Sequence, residues 1–565
     1  MNPINVVKVK TTLTLSTLLL WGCIEAPQTF EGDFTVFTNA EIITMNSSAP
    51  AAKTLVVKDD KVFYVGETFE TSDKNFTGTV TLIDLKGQTI LPGIIDSHVH
   101  VRELGMDAIK ADLVGVETAE DMVERLQQKF PNPEPGVWLI GQGWDEGEFG
   151  SKGYPDRAAL DAAFPNNPVA LESLHGFGGF YNARALEIAR IENETPDPEG
   201  GTILRREDGS ATGTMLTLAQ DLVDQYIPAP NQAQLENAIE AGLTKMASAG
   251  VTSVYEAGMT DADVLAFQNL AQQNALPLRV YGMLNGNNTQ LMAEWFEKGI
   301  QDDPTDFLDI RSIKIFYDGS LGSRTALMAE PYSDKPDAAN PSERISPADM
   351  LALGKEAAEK GFQMAVHAIG DEGNNRALNI YEEALNATKD HRWRIEHAQV
   401  VLPDFYERLS EMGAVASMQP SHAMGDSGWA EDRVGPDRIK HAYAWQRILA
   451  ADGKLIFNSD LPGEPWTPME TLHFAVTRTK LDGTPREGWY KDQAVSVDTA
   501  LKAMTIENAY AAFQEDKLGS LETGKWADFV ILDKNPMTVS SNDIKNITVE
   551  ETWVAGKPVY KRSAD

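Results

Sequence analysis

The sequence predicts an α/β protein built on a (β/α)8 barrel of the TIM type. A small β-sheet domain closed by both chain ends and a subdomain inserted after barrel strand one complete it. Three observations carry that reading. Strand-like runs alternate with helical ones through the middle of the chain, the signature of a parallel sheet wrapped by helices. Short β-rich runs separated by turns occupy both ends. A gap of about 150 residues follows the first barrel strand, far more than an ordinary strand-to-helix connection holds.

With 565 residues the chain exceeds one core, so several domains are expected. A hydrophobic share of 42% suits ordinary globular packing. The formal charge of −35, from 49 Lys and Arg against 84 Asp and Glu, would repel nucleic acid and anionic lipid head groups. That argues against both as partners; the expected partner is a small-molecule substrate, with oligomeric state open and a homodimer compatible.

Residues 1–23 read as an export signal. Lys8 and Lys10 precede a charge-free stretch from Thr11 to Trp21, too short to span a bilayer. The ending Leu20-Trp21-Gly22-Cys23 resembles the lipobox of bacterial lipoproteins, although Trp21 is bulkier than that box usually holds. The expectation is an exported bacterial lipoprotein, facing the periplasm and tethered to the cell envelope only through lipidated Cys23. Cys23 is the one cysteine, so no internal disulfide forms.

Residues 33–91 hold short β runs such as Thr54-Leu55-Val56-Val57 and Val62-Phe63-Tyr64-Val65, and the texture returns in 515–562 with Phe529-Val530-Ile531-Leu532. Residues 92–514 form the barrel, with the insertion at about 112–231. The opening barrel strand runs through Ile94-Ile95-Asp96-Ser97-His98. Seven more follow at Gly250–Ala257, Leu278–Leu284, Ile310–Tyr317, Phe362–His367, Trp393–His397, Gly413–Met418 and Leu455–Ser459. Helices fit between them, for example Pro347–Lys360 and Gly373–Ala387.

The chemistry gathers where these strands end. His98 and His100 lie two residues apart, so in an extended chain their imidazoles point the same way, a good start on a divalent-metal site. His367, His397 and Asp460 close strands five, six and eight, on the rim where barrel active sites sit. On strand four, Ser312, Lys314, Phe316 and Asp318 share one face, and the pattern leaves open whether that face lines the barrel. An inward lysine would lose charge through burial and, as a neutral amine, could take up CO₂ to form a carbamate; an outward one would reach solvent.

The segments Leu91-Pro-Gly-Ile-Ile-Asp-Ser-His-Val-His100, Lys314-Ile-Phe-Tyr-Asp-Gly319, His367-Ala-Ile-Gly-Asp371, Arg394-Ile-Glu-His-Ala-Gln399 and Asn458-Ser-Asp460 together resemble the amidohydrolase superfamily. More narrowly they resemble its family 3 branch, the YtcJ-like and N-substituted formamide deformylase-like enzymes. The resemblance spans about Thr35 to Tyr560. It implies a β-sandwich from the two chain ends and a centre of two divalent ions, zinc expected, with iron, nickel or manganese as alternatives. In that scheme His98, His100 and Asp460 hold one ion, His367 and His397 the other, and a CO₂-derived carbamate on Lys314 bridges them. The implied reaction is C–N bond hydrolysis by metal-activated hydroxide, with Asp460 as proton shuttle. His422 either stabilises the oxyanion, holds substrate or lies on a surface loop. Arg324 is a further catalytic candidate, and Trp144, Asp145, His175 and Asp318 are substrate-pocket candidates. The alternatives are ester or lactone hydrolysis, deamination, or a non-catalytic ligand-binding lipoprotein. The sequence departs from the family at His175-Gly176-Phe177, Glu256 and Asn458; the ligands are intact, so the departures bear on the pocket.

Overall fold

The computed structural model describes residues 6–9, 29–69, 75–145, 154–173, 178–198, 200–337, 343–386, 388 and 390–563. Cys23, the rest of the signal segment beyond 6–9, and His175 lie outside the described residues.

Eight parallel strands form the barrel in chain order. They are β1 (Ile94–Val99), β2 (Val251–Met259), β3 (Arg279–Asn285), β4 (Leu308–Phe316), β5 (Gln363–Ala368), β6 (Arg394–His397), β7 (Val415–Met418) and β8 (Lys454–Phe457). The ring is nearly closed, and the seam between β1 and β8 is made just beyond the end of β8. There Val99 bridges Leu461, the Asp460 N–H donates to His98 O at 2.9 Å, and the His100 N–H donates to Leu461 O at 3.1 Å. β8 stops at Phe457, short of the expected Ser459, because the Ser459 N–H and hydroxyl bond to the Asp96 carboxylate on β1, at 3.0 and 2.6 Å. Closure of the barrel thus sets Asp460 beside both β1 histidines.

Both chain ends contribute to one six-stranded sheet. Lys557–Lys561, Val549–Val554 and Phe529–Leu532 continue into Thr89–Pro92, Glu41–Ile43 and Ala51–Ala52. A second, five-stranded sheet contains Phe34–Thr38 and Thr54–Lys58. Phe37 of that sheet meets Phe529 and Trp553 of the first edge-on, both with ring centroids 5.2 Å apart, so apolar faces of the two sheets pack as a sandwich.

The chain divides into two compact units, residues 102–242 and the remainder. The first starts in the helix Val101–Ile109 and ends in the helix Gln232–Ser248, wider than the expected 112–231 by most of those two helices. Its own six-stranded sheet is mixed, parallel from Ala111–Asp112 through Leu139–Trp144 to Val169–Ser173 and antiparallel beyond. Among the described residues no helix is long and apolar enough to cross a membrane.

Candidate metal centre

Strand geometry delivers the donors one at a time. On β1, Asp96 and His98 lie two apart and both are buried, with His100 one step past the strand. Lys314 on β4 is 1% exposed, and its Nζ stands 2.8 Å from His98 Nε2. The inward reading of the strand is therefore the correct one. On β6, alternation alone would send Glu396 and His397 to opposite faces. His397 escapes that rule with φ at 76°, followed by Ala398 at 43°. Its ring thereby comes 4.5 Å from that of His367 and 5.3 Å from that of His98.

Asp460, also left-handed at φ 53°, sits at the centre. Its Oδ1 is 3.4 Å from His98 Nε2 and 3.3 Å from His100 Nε2. Its Oδ2 is 3.8 Å from His397 Nδ1 and 3.7 Å from His422 Nε2. Two donor groups result, His98–His100–Asp460 and His397–His422–Asp460, the ligand atoms of each within 4.8 Å of one another. His422, for which the sequence left an oxyanion, a substrate and a surface-loop role open, is thus at donor distance. His367 Nε2 instead faces Gly319 O at 3.3 Å and the Asp318 carboxylate at 3.4 Å.

The donor chemistry fits a divalent cation. Burial, reinforced by the Lys314 charge, pushes His98 down to about 4 and His367 to about 3. Burial and the neighbouring His367 push His397 well below its ordinary value. All three are therefore neutral ligands with lone pairs to offer. Burial also brings Lys314 down to about 8. It works against ionisation of Asp460 as well, but the imidazoles of His98 and His100 outweigh it and hold that carboxylate far below its usual range.

Sequence reasoning missed the residues that hold these donors. His98 Nδ1 lies 2.7 Å from Glu396 Oε2, which leaves Nε2 to face an ion. Glu396 is wholly buried. It accepts from Arg394 Nε at 2.7 Å, Arg394 Nη2 at 3.0 Å and the Ser417 hydroxyl at 2.6 Å. Burial alone would raise its pKa; the Arg394 charge holds it well below the carboxylate range. Asn458, a departure from the family pattern, donates to Ser417 Oγ at 2.9 Å and accepts from Gln419 at 2.8 Å. Gln419 Oε1 in turn lies 3.0 Å from His397 Nδ1. Glu256, the other departure on the barrel, accepts the Val101 N–H at 2.9 Å and so fixes the chain just after His100. The only available signal was the Arg394-Ile395-Glu396 alternation, which puts both charges on one face of β6.

Several expected site residues serve elsewhere. Asp318 is buried and accepts the backbone N–H groups of Leu327, Ile369 and Gly370 at 2.9, 3.0 and 2.9 Å, so it ties down the loops after β4 and β5. It is not among the residues that line the cavity over the donors. Arg324 is committed to Asp334 at 2.8 and 3.1 Å, a carboxylate that Arg433 also binds, and does not line the cavity. Trp144 is buried within the 102–242 unit and donates its indole N–H to Leu171 O at 3.0 Å, a packing role. Asp145 follows it, partly buried, at the end of the same strand.

Over the donors lies a cavity of about 420 Å³. Its walls include the apolar side chains of Phe316, Leu321 and Trp429 and the carboxylates of Asp426 and Glu464. A parallel barrel whose strand ends converge on neutral imidazoles and a shared carboxylate beneath such a cavity is the architecture of a metal-dependent hydrolase. The chain belongs to the amidohydrolase family, family 3 branch, whose profile matches residues 81–560. Protein LONG AFTER FAR-RED 3 of Arabidopsis thaliana is 32% identical to it, over 97% of this chain and 95% of that protein. N-substituted formamide deformylase of Arthrobacter pascens is 26% identical, over 93% of this chain and 98% of that protein. The crystal structure of an uncharacterized metal-dependent hydrolase from Pyrococcus furiosus matches with a TM-score of 0.72 at 30% identity, covering 89% of this chain and 100% of that one.

Proposed function

We propose that the protein cleaves the C–N bond of an amide, an N-substituted formamide or a cyclic amide. The observation that carries this reading is the position of Asp460, one oxygen among the β1 imidazoles and the other toward His397 and His422. The likeness to N-substituted formamide deformylase supports the bond class.

His98, His100 and Asp460 would hold one ion. His397 would hold a second, zinc being the expected metal for both, with His367 or His422 beside it and carbamylated Lys314 between the two. Bound there, a divalent ion would lower the pKa of a water to about 7 and polarise a carbonyl. Asp460 accepts the proton of the attacking water and returns it to the leaving nitrogen, since a carboxylate with two separately directed oxygens reaches both. His422, its ring stacked parallel to His397 at 5.9 Å, donates to the developing oxyanion when it is not itself a ligand. The buried amine of Lys314 adds to CO₂, forming an N–C bond and releasing a proton, and the resulting carbamate places an anion beside His98.

The test is a panel of N-formyl amines, N-acyl amines and cyclic amides, with matched esters and lactones, run on protein whose metal is quantified. Amine release that stops on chelation and returns with zinc is the expected result. Turnover of esters alone would reassign the bond. Protein purified without chelator that holds no transition metal and turns over nothing would leave a ligand-binding role.

A further inference from the structure

We propose that Glu464 and Asp426 form a cation subsite that selects substrates whose organic group carries a protonated amine; the proposal rests on the amide-hydrolysing reading above. Both carboxylates line the same cavity as the donors, and His422 of that lining acts on each of them. Among the described residues, neither belongs to a group of donors close enough together to hold an ion.

Glu464 is half-buried, yet among the described residues no hydrogen bond or ion pair reaches its carboxylate. Space for it is kept by Gly425: a Cβ there would stand 2.3 Å from Glu464 Oε1. Asp426, the next residue, is held from one side only. Its Oδ2 accepts from Tyr443 OH at 2.5 Å and Gln399 Nε2 at 2.9 Å, and among the described residues no hydrogen bond reaches Oδ1. Glu464 also follows Asp460 by four residues, so its position is tied to that of the central donor.

A carboxylate withdrawn from water without a partner is costly, and a cation beside it removes that cost. The lining offers both carboxylates His422, which the reading above engages at the donors or the oxyanion, and Lys480 acts on Glu464 from outside the lining. Apart from Lys314, which is taken up among the donors, no Lys or Arg of the described residues lines it. A substrate ammonium meets the need, and the faces of Phe316 and Trp429 suit the apolar stem that would carry it.

The experiment compares N-formylbenzylamine with its para-aminomethyl and para-carboxylate derivatives. The cationic substrate is expected to exceed the neutral one in kcat/KM by about 10-fold, the worth of one partly buried charge pair, and the anionic one to fall below both. Glu464→Gln and, independently, Asp426→Asn should collapse the cation-to-neutral ratio toward one. An unchanged ratio in both variants overturns the proposal. So does an equal loss on all three substrates, which would make Glu464 a positioning residue behind His422. A calorimetric titration of zinc-loaded protein with para-methylbenzylammonium and para-methylbenzyl alcohol separates this from the reaction itself. Tighter binding of the ammonium, lost in Glu464→Gln, supports the subsite even if no amide turns over, and that outcome would sink the amide reading alone. Equal binding of the two probes overturns the subsite.

Discussion

His397 and Asp460 both carry side chains in a left-handed backbone, a conformation that costs an L-residue roughly 1–2 kcal/mol. Such residues persist where the surroundings over-determine them, and here the surroundings are visible. Gln419 holds the His397 ring, and the backbone bonds across the β1–β8 seam hold Asp460. The conformation turns each side chain off the alternation of its strand and over the barrel axis. Lys314 makes the opposite case, since plain alternation brings it inward and its contact with His98 does the rest. An ammonium in that contact would repel an ion from His98; a carbamate would attract one. Lys314→Ala should therefore lower both bound metal and turnover by about 100-fold or more, the scale of losing a ligand or its immediate support. Added acetate or propionate should restore part of each by refilling the anion. Metal content and rate both unchanged in Lys314→Ala would remove the carbamate from the site.

At the scale of elements, the seam between β1 and β8 is the part of the barrel on which the site depends most. Asp96 accepts both the N–H and the hydroxyl of Ser459, and Asn508 donates to Ile95 O at 2.7 Å and Phe457 O at 3.1 Å. Asp96→Ala would strand two buried donors of Ser459 and loosen the turn that carries Asp460. A loss of about 2–4 kcal/mol is expected by urea denaturation, with weaker metal retention in the same protein. A variant as stable as wild type would show that the seam closes without that carboxylate. These elements differ in how far the sequence exposes them. The helix Pro347–Lys360 was legible to the residue because both ends are marked, Ser346 accepting the Asp349 N–H and Gly361 taking φ 77°. The helix after β5 begins at Asp371 rather than Gly373, since Gly370 caps it without a side-chain signal. The strand-end histidines were legible because barrel chemistry gathers at one rim. The pairing of His98 with Glu396 was not. It joins residues 298 positions apart, and only the register of the closed barrel decides which side chains of β1 and β6 meet. The partners of Asp318 and Arg324 were hidden for a related reason: each is supplied by a loop that no periodicity describes.

On the scale of the whole molecule, the barrel end remote from the metal donors is where the C-terminal part of the chain anchors. Asp528 binds Arg279 at the start of β3 at 2.6 and 3.1 Å, and Trp526 and Lys517 both donate to Asp306 at 2.6 Å. Beside them Asp309, near the start of β4, is 6% exposed and accepts from the Asp303 N–H at 2.7 Å and Gln514 Nε2 at 2.8 Å. Burial, helped by the charges of Asp306 and Asp302, pushes its pKa up to about 6, against the two hydrogen bonds that favour the ionised form. Arg311 and Lys517 line the same small recess. The folded protein therefore binds a proton here that the unfolded chain, titrating near 3.8, has already released. Because the folded-state value is the higher one, the contribution to stability is fully present below about pH 4 and is lost as pH rises through 6, with a ceiling of ~3 kcal/mol. Asp309→Asn removes the titration, and the new amide can donate to Gln514 Oε1, which is buried without a partner among the described residues. Urea unfolding of both proteins from pH 4.5 to 8 isolates this group from the many other carboxylates of a chain with net charge −35, since those are shared. The stability of wild type relative to Asp309→Asn should decline by about 2 kcal/mol between pH 4.5 and 7 and level off above that. Parallel curves across the range would mean that Asp309 ionises in the folded barrel as readily as in the open chain, and that the recess is wetter than its burial implies.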